Sequence, residues 1–173
     1  MKKIIVSILT ATALVFSTQA ADVTVKLSKL HLCCQSCVNN VNKIVAEVKG
    51  VTAAVDREAK TVGLTGPDTA TVQKATDALV AAGFFGTSSD ASIKINATTG
   101  AKGQKVQSLQ VSGVHLCCGT CVTVVDETLK AVSGVKSHTA AKGAKSFEVT
   151  GDFNDKDVFD ALQKAGLTGS VGK

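Results

Sequence analysis

Seven residues occur twice in this chain, and they hold nearly all of its chemistry. Residues 31–37 read His-Leu-Cys-Cys-Gln-Ser-Cys, and residues 115–121 read His-Leu-Cys-Cys-Gly-Thr-Cys. The six cysteines of the protein are Cys33, Cys34 and Cys37 in the first copy and Cys117, Cys118 and Cys121 in the second. His31 and His115 are two of its three histidines. Three sulfur donors and one nitrogen donor in so short a segment point to a thiophilic metal. Two thiolates suit near-linear Cu(I) or Hg(II). A third makes a trigonal sulfur site for Cu(I), Hg(II), Cd(II) or Pb(II). Three thiolates and an imidazole fill the four-coordinate shell that Zn(II) prefers. Zn(II) or Cu(I), about one ion per copy, is the expected cargo.

Other uses of the cysteines fit less well. The three thiols of one copy cannot pair off internally, so a disulfide staple would strand one of them. A thiol–disulfide oxidoreductase, whose Cys-x-x-Cys also opens a helix after a strand, is the alternative function. Such domains carry a cis-proline beside the active site, and the only proline, Pro67, belongs to one half of the chain, so the second motif has none. Cysteine as a small buried hydrophobe does not account for an adjacent pair with a third thiol three residues on. The expectation is therefore a binding protein and not an enzyme.

The flanking elements must position these donors. Val23, Val25 and Leu27 alternate as a half-buried strand does, and Leu30 and Leu32 carry an extended segment into the first motif. A helix follows, with Val38, Val41, Val45 and Val48 on one stripe and Gly50 as its stop. Cys37 and Cys121 then stand near a helix start, where unpaired N–H groups and the helix dipole favour a thiolate. If the strand ran on through the motif, His31 and Cys33 would share one face and Leu32 and Cys34 the other. Convergence of all four donors then requires a bend at Cys33-Cys34. Otherwise His31 and His115 stand at the surface or behind the ligands.

Thr52–Asp56 and Thr61–Thr65 read as a strand pair. Asp68 or Thr69 caps a second helix carrying Val72, Ala75, Leu79 and Ala82, and Phe84-Phe85 follow Gly83 as a last strand. Residues 91–104 read as a linker, with Ile93 and Ile95 as an alternative short strand. The pattern then restarts. Val106 to Val114 lead to the second motif, and Val122, Val125, Leu129 and Val132 form the next stripe. Ser146–Thr150 is a strand, Asn154–Ala165 a helix, and 167–171 a final strand. At an offset of 84, ten of the 21 positions from His31 to Val51 are identical in the second half. The chain is an internal duplication of one strand–helix–strand–strand–helix–strand unit, an α+β class. The third histidine, His138, has no counterpart in the first half and polar neighbours, and reads as a surface residue.

Residues 1–20 have the layout of a secretory signal peptide. Lys2 and Lys3 precede an uncharged, mostly apolar run from Ile4 to Phe16, and small residues end at Ala20. That run is short of the ~20 residues a spanning helix needs. A mature soluble monomer in the periplasm or secreted, with no membrane span, is expected. Without Lys2 and Lys3 the 19 Lys and Arg fall to 17, against 14 Asp and Glu. So small and dispersed an excess, with no Tyr or Trp, excludes a nucleic-acid partner.

The motifs resemble those of heavy-metal-associated domains, the small modules of copper chaperones, of the periplasmic mercury-binding protein and of metal-pumping ATPase tails. Cys34-Gln35-Ser36-Cys37 and Cys118-Gly119-Thr120-Cys121 occupy that family's two-cysteine motif. Leu32 and Leu116 fall where it has a buried Met. Gly50-Val51 and Gly134-Val135 resemble its turn after the first helix, and Ala82-Gly83-Phe84 and Ala165-Gly166-Leu167 its turn before the last strand. The resemblance covers 22–90 and 105–173. It implies two tandem ferredoxin-like (βαββαβ) domains, metal sequestration or delivery, and a metal transporter or another metal-binding domain as partner. The extra Cys33 and Cys117, and His31 and His115 where the family often has Gly, depart from its pattern.

Overall fold

The computed structural model describes residues 21–172; the expected signal peptide lies outside these residues. Among the described residues the fold is α+β, with two four-stranded antiparallel sheets and four helices. The first half runs β1 (Val23–Ser28), α1 (Gln35–Ala46), β2 (Thr52–Asp56), β3 (Thr61–Gly66), α2 (Thr69–Ala81) and β4 (Thr87–Ser88). The second runs β5 (Lys105–Ser112), α3 (Gly119–Lys130), β6 (Val135–His138), β7 (Ser146–Asn154), α4 (Asp155–Lys164) and β8 (Ser170–Val171). The sheet orders are β2-β3-β1-β4 and β6-β7-β5-β8, the ferredoxin-like arrangement in each half. No helix among the described residues is long and apolar enough to cross a membrane.

Local chemistry explains the elements. In β1 only Val25 and Leu27 are buried, and in β3 Val62 and Leu64 meet them across the ladder, Val25 opposite Leu64 and Leu27 opposite Val62. That shared face takes the apolar stripes of α1 and α2. The stripe of α1 is Cys37, Val41 and Val45, with Val38 only half-buried. In α3 it is Cys121, Val125 and Leu129. The motif's third cysteine is thus part of the helix's core face in both halves. Asp68 caps α2 by accepting from Thr71 N at 2.7 Å.

Two expectations change. Phe84-Phe85 and Leu167 do not belong to last strands; these are the two-residue β4 and β8 further on. Phe84 instead pairs with Leu167 in an isolated antiparallel bridge between the halves. Both are fully buried, so their apolar signal came from an interface and not from a sheet. Ile93 and Ile95 also form no strand. Ile93 is buried, and Lys94 is held by a reciprocal pair of 2.8 Å bonds with the Gln73 side chain.

The segment between the halves is tied to the second one as well. Thr99 O accepts from Val171 N at 2.7 Å, and the Asp155 carboxylate accepts from Lys102 N and Gln104 N, each at 2.9 Å. Burial opposes ionisation of Asp155, but the surrounding backbone N–H groups outweigh it and hold its carboxyl below the usual value. A depressed folded value contributes stability at pH above the unfolded carboxylate pKa of about 3.9, which is lost as pH falls through the folded value. Asp155→Ala is expected to cost about 1–3 kcal/mol at neutral pH. It should also flatten the fall in melting temperature below about pH 4. Thermal melts of both proteins from pH 7 to pH 2.5 check this; parallel curves would rule it out.

Candidate metal centre

The donor loops start from a backbone reversal. After Ser28, Lys29 takes a left-handed conformation at φ +65°, and its counterpart Gly113 does so at φ +79°. The strand therefore ends before the motif instead of running through it. Beyond the turn, Leu30 and Leu32, like Val114 and Leu116, are buried and anchor the loop. Cys34 and Cys118 are the N-caps of α1 and α3 in extended conformation, and neither makes a side-chain capping bond. The helix N-termini thus present their positive ends at the thiols without a capping oxygen.

The two loops, each expected to serve its own ion, meet face to face. Between halves, Cys33 Sγ lies 3.4 Å from Cys118 Sγ and 3.5 Å from Cys121 Sγ. The symmetry-related contacts are Cys117 to Cys34 at 3.7 Å and Cys117 to Cys37 at 3.5 Å. Within a loop, Cys33–Cys37 and Cys34–Cys37 are 3.7 and 3.8 Å, and Cys117–Cys121 and Cys118–Cys121 are both 3.6 Å. All six are free thiols, since a disulfide needs about 2.05 Å. The arrangement is a pseudo-twofold cage of six sulfurs.

The histidines close the cage. His31 is 8% exposed, and both His31 Nε2 and His115 Nε2 are buried without a hydrogen-bond partner. An unpartnered buried nitrogen is costly unless something binds it. Three donor groups have their ligand atoms mutually within 4.8 Å. They are Cys37, His115, Cys117 and Cys121; His31, Cys33 and Cys121; and Cys33, Cys34 and Cys118. All three mix residues of both halves. All eight sequence-predicted donors are therefore in one place. The third histidine is elsewhere. His138, expected at the surface, is instead largely buried, bonded to Asp126 Oδ1 at 3.2 Å and accepting from Ala140 N, so it staples the end of β6 to α3.

The thiols do not share one character. Burial, then contact with Cys118, pushes the Cys33 thiol up, and burial, then Cys37, does the same for Cys117. Cys121 is raised by its contact with Cys37 and by burial. Cys37 is depressed, first by its contact with Cys121 and, against burial, by His115 and other neighbours, so the two sulfurs titrate as a pair. Burial opposes ionisation of Cys118, but the Cys121 backbone N–H and the Cys33 thiol bring it down to about 6. Burial also lowers His31, against the pull of Cys37. A neutral imidazole and a ready thiolate are the forms that bind metal.

A soft ion fits this donor set. Sulfurs sharing one tetrahedral ion, at bonds of about 2.3 Å, lie about 3.8 Å apart, and a linear pair about 4.6 Å. The observed 3.4–3.8 Å contacts match tetrahedral edges. An open groove of about 430 Å³, lined by Asn40, Ala82, Gly113, His115, Cys117 and Lys145 among others, gives access beside the second loop.

Residues that the motif did not mark hold the loops together. Gly166 O accepts from His31 N and from Phe85 N, both at 3.1 Å, and Gly83 O accepts from Thr168 N at 2.9 Å. A Cβ on Gly83 would lie 2.4 Å from Gly113 O and 2.6 Å from His115 N. One on Gly166 would lie 2.5 Å from Lys29 O and 2.6 Å from His31 N. Each half thus sets a glycine against the backbone that enters the other half's motif. Phe84 stacks on His115, ring centroids 4.4 Å apart. The repeated Ala-Gly pair was visible in the sequence, but as a helix stop.

No family model and no curated protein matches the chain. Among solved structures, one similar chain is a copper-binding domain from a P-type ATPase, at 22% identity and a TM-score of 0.36, covering 39% of this chain and 96% of that one. Another is the N-terminal soluble domains of Bacillus subtilis CopA, at 13% identity and a TM-score of 0.34, covering 88% of this chain and 95% of that one.

Proposed function

We propose that this chain is an exported, monomeric binding protein for a soft metal ion, used to sequester the ion or to deliver it to a transporter or another metal-binding domain. It is not an enzyme on this reading. The observation that carries the proposal is the convergence of six free thiols with two imidazoles whose buried Nε2 atoms have no hydrogen-bond partner. Four-coordinate ligation would trap an ion, whereas transfer needs a thiolate that an incoming ligand can displace. Cys34 and Cys118 are half-exposed at the rim while Cys37 and Cys121 are fully buried, so exchange would begin at the N-cap cysteines.

The test is metal analysis of the full mature chain purified under reducing conditions, with thiol titration before and after loading with Zn(II) and, separately, Cu(I). Stoichiometric uptake that masks the thiols is expected. Catalytic disulfide exchange with no stoichiometric metal would replace this reading with the oxidoreductase.

A further inference from the structure

We infer that the two loops build one binuclear centre for a divalent, tetrahedrally ligated ion, with Cys37 and Cys121 bridging the two ions. The inference rests on the metal-binding reading above. One ion takes Cys117 and His115 as its terminal ligands, and the other takes Cys33 and His31.

The donor groups define this assignment. Cys37, Cys117, Cys121 and His115 form a complete set of three sulfurs and one nitrogen. The pseudo-twofold turns that set into Cys121, Cys33, Cys37 and His31. Within it, His31, Cys33 and Cys121 already lie together, and Cys37 is 3.7 Å from Cys33. The two sets share one pair, Cys37 and Cys121, and every other member belongs to one set only. Two tetrahedra that share an edge therefore use four sulfurs and both imidazoles. Each imidazole carries one of the buried, unpartnered Nε2 atoms, so the assignment accounts for both.

Burial and charge favour the shared edge and the divalent ion. Cys37 and Cys121 are 0% exposed, the place for ligands that need no access. Four thiolates, two neutral imidazoles and two divalent ions sum to zero charge, which a buried centre tolerates. Two monovalent ions would leave the same centre doubly negative. Each ligating thiol gives its proton to solvent. Cys34 and Cys118 take no part in the closed centre. They stand next to its terminal sulfurs, Cys34 at 3.7 Å from Cys117 and Cys118 at 3.4 Å from Cys33, where they can relay an ion in or out.

The bridging role separates this centre from two independent loops. With independent loops, Cys37→Ser removes one site and spares the other. With a shared edge it damages both. The experiment is native mass spectrometry and competitive titration of the reduced full mature chain with Zn(II), together with X-ray absorption on the wild type. Two Zn(II) per wild-type chain, a sulfur shell with added nitrogen, and a zinc–zinc scattering path are expected. Cys37→Ser is expected to lose about 100-fold or more in affinity at both positions, the scale of losing a shared ligand. A Cys37→Ser chain that still holds one Zn(II) at wild-type affinity overturns the centre, as does a wild type with no zinc–zinc path. The absorption result stands even if the variant fails to fold. Uptake of Cu(I) with no uptake of Zn(II) overturns the binuclear centre and spares the metal-binding reading. Uptake of neither ion defeats that reading itself.

Discussion

Gly83→Val is expected to lower metal affinity by about 10–100-fold, the scale on which misplacing a ligand's supporting contacts acts, while both sheets stay folded. The substitution does not touch a donor atom. Its Cβ alone would come within 2.4 Å of Gly113 O and 2.6 Å of His115 N, and these are backbone atoms that cannot swing aside. The φ of +90° adds strain for a β-branched residue. The second half must therefore move away from the first, and His115 and Cys117 move with it. Overpacking of this kind costs about 1–3 kcal/mol, which a folded domain can survive. Gly166→Val should act in the same way through His31, because its Cβ would meet Lys29 O and His31 N. Circular dichroism reports the sheets and competition with a chromophoric chelator reports the affinity. Wild-type affinity in both variants would show that the halves need not touch for metal to bind.

Metal-free protein left in air is expected to close disulfides between its halves, with no cross-linking between chains. Each motif has an odd number of cysteines, which by itself implies a leftover thiol and covalent dimers. The fold pools the two odd sets into six, and the closest pair, Cys33 and Cys118, comes from different halves at 3.4 Å. Oxygen from the air takes two electrons from one thiolate to give a sulfenic acid, which the adjacent thiol attacks with loss of water; Cys118, depressed to about 6, is the thiol readiest to react. A link across the halves closes a long loop, which in the chain-entropy model stabilises by about 4–5 kcal/mol. Metal-loaded protein should keep its thiols, because ligated sulfur is withdrawn from exchange. The check is a thiol count, followed by protease cleavage between residues 96 and 103 and non-reducing electrophoresis. Fragments that stay joined until reductant is added are the expected result. Fragments that separate, or covalent dimers before cleavage, would show that the loops do not face each other in solution.

These two results turn on a division between what was legible in the sequence and what was not. The unit was legible because its signals are local. Val25 and Leu27 alternate along β1, Val41 and Val45 repeat along α1, and Asp68 marks the start of α2. Each of those patterns is set by a strand or helix period or by one capping bond within a few residues. The duplication made the same reading twice and singled out all eight donors as chemically active. The donors' pairing was not legible. Nothing in His31 to Cys37 tells that Cys33 lies against Cys118, because that contact joins residues 85 positions apart through two folded units. Gly83, Phe84, Gly166 and Leu167 stand at the centre of the surface that makes the contact. Locally these read as a helix stop and the first residue of a strand, and only close backbone approach gives them another role. A glycine is needed wherever a Cβ would collide, and the atom it would collide with belongs to the other half. The sequence by itself determined two small α+β units, each carrying three thiols and an imidazole. Only the tertiary structure decided that they form one cage, because packing between folded units leaves no periodic trace along the chain.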